Sequence, residues 1–94
     1  MTEYREYVDS AIRAVTEAWN DPNQAAENLS QAEHLLHQAL THAEQSNDPA
    51  RVKQVQDAKN AVEQALRAAK NKNQDGSQTH NAIDQAARAC KQIH

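Results

Sequence analysis

Asn-Asp-Pro occurs twice in this chain, at Asn20-Asp21-Pro22 and Asn47-Asp48-Pro49, and these triplets hold its only two prolines. An Asp followed by Pro is a helix start: the carboxylate accepts from the free amides of the first turn, and Pro fits the first helical position. Elsewhere breakers are nearly absent, with one glycine in 94 residues. Strand formers are as scarce, since there is no Phe and aromatics make up 3% of the chain. Ala, Gln, Asn and charged residues dominate, a composition that favours helix and disfavours strand.

The punctuation predicts four helices, at about 2–19, 22–46, 49–72 and 77–93. Thr2 is the expected cap of the first. At the second, Asp21 is followed by Gln24, which can complete a capping box. Asp48 caps the third, and Asp75-Gly76-Ser77 offers a left-handed Gly and a Ser cap before the fourth. Short connections make consecutive helices antiparallel neighbours. The expected fold is therefore all-α, a small up-down-up-down four-helix bundle forming one domain over residues 1–94, with a helical hairpin array as the alternative.

Each segment carries an apolar stripe at helical spacing. The first aligns Tyr4, Val8, Ala11, Ile12, Val15, Ala18 and Trp19; the second Ala25, Leu29, Ala32, Leu36, Ala39, Leu40 and Ala43. The third aligns Val52, Val55, Ala58, Val62, Ala65, Leu66 and Ala69; the fourth Thr79, Ile83, Ala86, Ala87, Cys90 and Ile93. Tyr4 and Trp19 are expected to close the two ends of the core, and Tyr7, off the stripe, to be the more exposed aromatic. Large aliphatics number only thirteen, so the core is thin and its Ala-rich seams bring the axes close. A weak repeat, Leu36-His37-Gln38-Ala39-Leu40, Val62-Glu63-Gln64-Ala65-Leu66 and Ile83-Asp84-Gln85-Ala86-Ala87, has uneven spacing, which reads as the grammar of amphipathic Ala/Gln helices.

Several chemistries lack raw material. Gly76 alone cannot build a phosphate loop, which argues against a nucleotide-binding fold. Cys90 alone forms no internal disulfide, and its place on the apolar stripe reads as a small buried hydrophobe rather than a nucleophile. His34, His37 and His42 crowd the second helix but point in different directions at about 100° per residue, so no metal site is expected. No catalytic residue, cofactor or small-molecule substrate is expected. No run approaches the ~18 apolar residues of a membrane span, and the opening MTEYREYVDS lacks the pattern of a signal peptide, so the expected location is cytoplasmic without membrane contact.

Charge is unevenly distributed. The formal net charge is -3, yet residues 21–48 carry Asp21, Glu27, Glu33, Glu44 and Asp48 with no Lys or Arg, a balance of -5. Residues 49–73 carry Arg51, Lys53, Lys59, Arg67, Lys70 and Lys72 against Asp57 and Glu63, a balance of +4. Two neighbours of opposite sign should attract, with Glu63 and Arg67 paired one turn apart. The expected function is non-enzymatic: binding another protein or itself, with Tyr7 and Trp19 as contact residues, and the thin core favouring a homo-oligomer. The alternative is a small nucleic-acid-associated regulator using Arg51, Lys53, Lys59, Arg67 and Lys70, weakened because those cations form no dense stripe and the aromatics lie on another helix.

Overall fold

The computed structural model describes residues 3–71 and 76–93, with the backbone alone at Pro22, Gly76 and Ser77. Thr2, Lys72 and Asp75 lie outside the described residues. Four helices follow one another: α1 (Glu3–Asn20), α2 (Ala25–Gln45), α3 (Pro49–Lys70) and α4 (Gly76–Lys91). Each packs on its sequence neighbour, and α4 returns to α1, giving a four-helix bundle 41 Å long and 20 × 17 Å across. Contacts at its ends fix the up-down order. His42, late in α2, meets Glu3 at the start of α1, and His80, early in α4, meets Trp19 in the last turn of α1.

Both prolines stand at helix starts, but the two triplets fold differently. At the second, Asn47 is the one described non-glycine residue with positive φ, at 56°. Its N–H donates to the Glu44 carbonyl (3.2 Å), and that of Asp48 donates to the Ala43 carbonyl (3.5 Å). This pair of bonds around a left-handed residue is a Schellman ending, with Asn in the place usually held by Gly. Asp48 then turns the chain over: its Oδ1 accepts from the Arg51 N–H at 3.2 Å, capping α3, and Pro49 is the first helical residue.

At the first triplet, α1 continues through Asn20, and the Asp21 N–H still reaches the Glu17 carbonyl at 2.9 Å. Asp21 Oδ1 accepts from the Asn23 N–H (3.2 Å), and Pro22–Gln24 forms one 3-10 turn before α2 begins at Ala25. The α-helix thus starts three residues later than expected. Gln24 precedes it without a side-chain capping bond, so the capping box does not form. α4 starts at Gly76, which is its first helical residue and not a separate turn. Thr79 Oγ1 donates to the Ala68 carbonyl at 3.3 Å and ties this start to the end of α3.

The core follows the stripes. Val8, Val15, Leu29, Leu36, Val55, Val62, Ile83 and Cys90 are fully enclosed, interleaved with Ala11, Ala32, Ala39, Ala58, Ala65 and Ala86. Ile12, Val52, Leu66, Ala69 and Ala87 are only partly buried at its margin, whereas Ala14 and Ala68, outside the expected stripes, are buried. Ile93 lies beyond α4 yet folds back into the core. All thirteen large aliphatics are therefore in the core or packed against it. Trp19 departs from its expected core position: it is 40% exposed. Ala18 occupies the core position of that last turn, leaving the indole at the edge facing α4.

No ion pair among the described residues joins α2 to α3, and the acidic and basic segments meet only where Arg51 pairs with Asp48 beside their connection. Among the described residues, Arg5–Asp9, Lys59–Glu63 and Arg88–Asp84 pair within one helix, Arg51–Asp48 pairs at the start of α3, and His42–Glu3 joins α2 to α1. Glu63 takes Lys59 rather than Arg67, at 3.7 Å. Both arrangements are one turn apart on the same helix, and neither reaches across the seam to α2.

Candidate interaction surface

Trp19 is the one large hydrophobic side chain among the described residues that remains exposed. It is not loose. Its indole stacks on the imidazole of His80, with ring centroids 3.5 Å apart and planes 8° from parallel. The antiparallel order of α1 and α4 makes this meeting possible, because the last turn of one lies beside the first turns of the other. Next to the stack, Thr16, Asp84, Ala87 and Lys91 complete a hollow of about 190 Å³ along the α1–α4 seam. Asp84 is held by Arg88 at 3.0 Å, one turn away on the same helix. The result is a stiffened aromatic surface with a carboxylate and an ammonium at its margin.

Tyr7, the other expected contact residue, is half-buried and rests against the His42 ring, with centroids 5.4 Å apart. The order of exposure is thus the reverse of the expected one, since Trp19 is open and Tyr7 is partly covered. Tyr7 lies on the flank that meets the end of α2, where His42 Nε2 also stands 3.3 Å from Glu3 Oε2. His34 and His37 are exposed elsewhere on α2, and Gln38 Nε2 is 3.2 Å from His34 Nε2.

Tyr4 is buried as expected, under the Arg51 guanidinium, which lies 4.8 Å above its ring. Its hydroxyl has no hydrogen-bond partner among the described residues. Burial raises its pKa, an effect opposed by Arg51 and Arg5 and supported by Asp48. Cys90 is enclosed between helices, and burial pushes its thiol up to about 11, which suppresses the thiolate needed of a nucleophile.

The five cations of the alternative reading are not gathered. Arg51 is engaged with Asp48 and Tyr4, and Lys59 with Glu63. Lys53, Arg67 and Lys70 are exposed, but the first and last are separated by about 25 Å of helix. Trp19, the aromatic that could stack on a base, lies between α1 and α4 and not on α3.

His80 is the surface residue that sequence reasoning missed. A signal existed: an up-down-up-down order places an aromatic in the last turn of the first helix opposite the opening turns of the fourth. No protein-family model, curated protein or solved structure matches this chain.

Proposed function

We propose that this chain is a non-catalytic cytoplasmic binding module that engages another protein through the face carrying Trp19 and His80. The observation that carries this reading is the exposure of Trp19 in a fold whose other large hydrophobic side chains, among the described residues, are in or against the core. A Trp left open is an anchor type enriched at interface hot spots, and its stacking on His80 reduces the ordering cost of binding. A single anchor beside charged groups suits a small, mixed interface rather than a broad apolar one. The cytoplasmic setting is supported by the lack of a helix apolar enough to cross a membrane among the described residues, and the single cysteine agrees with a reducing compartment. A thin core favours self-association, but the aliphatics are enclosed within one copy, which favours a different protein as partner.

Affinity capture from the native host, run in parallel with the wild type and Trp19→Ala, tests the proposal. A protein retained by the wild type and lost by the variant is expected, with circular dichroism unchanged. Retention of the same proteins by both would refute it, and sedimentation of the purified wild type alone shows whether a second copy is the partner instead.

A further inference from the structure

At the opposite end of the bundle from Trp19, the end of α2, the three-residue connection and the first turns of α3 line an open surface groove of about 610 Å³. It is shallow and open to solvent, so it suits side chains laid along it rather than an enclosed small molecule. Its lining combines apolar surface from Pro49 and Val52 with the side chains of Glu44, Asp48, Lys53 and Asp57. The carboxylates are not equivalent. Asp48 is engaged, its Oδ1 with the Arg51 N–H and its Oδ2 3.6 Å from Arg51 Nε. Glu44 and Asp57 are exposed and form no ion pair among the described residues. Against them the described lining holds one cation, Lys53.

Helix dipoles do not reverse this balance. The negative end of α2 and the positive end of α3 lie side by side at the connection, so their fields largely cancel and the side chains decide. An anionic partner would be opposed by Glu44 and Asp57. A purely polar cation would leave Val52 and Pro49 uncovered.

We infer that this groove docks a cationic, amphipathic segment of another protein: an aliphatic side chain against Pro49 and Val52, flanked by Lys or Arg residues that reach Glu44 and Asp57. The site is separate from the Trp19 face, so the chain presents one surface at each end.

Amide-shift titrations of the whole protein with three blocked pentapeptides test this inference: Lys-Leu-Lys-Leu-Lys, Lys-Gly-Lys-Gly-Lys and Glu-Leu-Glu-Leu-Glu. Saturable shifts centred on Glu44, Val52, Lys53 and Asp57 are expected with the first alone. Glu44→Gln combined with Asp57→Asn should raise its Kd about fivefold, as expected for loss of two surface charge contacts. Trp19→Ala should leave the Kd unchanged, so this site is distinguishable from the proposed Trp19 interface. The inference is overturned if shifts do not saturate or map elsewhere, if either control peptide binds as well, if the double variant binds normally, or if Trp19→Ala abolishes binding.

Discussion

Cys90 shows how one enclosed atom couples the fold to pH. Its thiol is pushed from an ordinary 9.0 up to about 11 by burial alone, because the thiolate would lose its hydration among apolar neighbours. Below pH 9 both folded and unfolded chains hold the proton, so the contribution is complete. Between pH 9 and 11 only the folded chain holds it, and stability falls as pH rises, by roughly 2–3 kcal/mol in total. Tyr4, also raised by burial, contributes with the same sign above its ordinary 10.0. Urea denaturation of the wild type and Cys90→Ala at pH 8 and pH 11 should therefore show a smaller alkaline loss in the variant. Equal losses would mean that the thiol is not held neutral by the fold. The comparison removes any cavity left by Ala, since that cost does not depend on pH.

Helix punctuation gives one tripeptide two conformations. Asn47 is left-handed because α2 must stop and reverse within three residues, whereas Asn20 is the last residue of α1 and leads into a 3-10 turn. The same substitution should therefore have opposite signs at two exposed positions. Asn47→Ala keeps the Cβ but removes the short polar side chain that lets Asn tolerate left-handed backbone, and should cost on the order of 1 kcal/mol. Asn20→Ala replaces a poor helix former with the best one and should stabilise by up to ~0.7 kcal/mol. Thermal unfolding of the two variants checks the contrast, and two changes of the same sign would contradict the distinct backbone states. Asp48 is central to the second triplet because it completes the ending of α2 and caps α3 with the same residue.

In the whole molecule, the limited supply of large side chains is matched by close helix approach. Ala11, Ala32, Ala39, Ala58, Ala65 and Ala86 are fully buried at the seams, and with so little volume between axes thirteen aliphatics suffice to line a continuous interior. Association is therefore not required to cover exposed aliphatic surface. The melting midpoint of the purified protein should be independent of concentration from micromolar to millimolar, as measured by calorimetry. A midpoint that rises with concentration would show that a second copy contributes to folding stability, as linkage requires.

The number of helices, their type and the core face of each were legible in the chain itself. Asp-Pro steps and 3.6-residue spacing act locally, through φ restriction, amide capping and the repeat of the helix, and these do not depend on what lies across the bundle. Cys90 was legible for the same reason, as a residue on an apolar stripe. Rotation about each axis was not. A stripe allows several positions at its margin, and contact with neighbours decided that Ala14 and Ala68 are covered while Trp19 remains open. Partners of charged and aromatic groups were likewise tertiary matters: Trp19 against His80, Tyr7 against His42, and Glu63 with Lys59 depend on side-chain direction and on which helix lies alongside. Local rules establish that helices form and which side turns inward; only packing determines which edge residues are left for another molecule to meet.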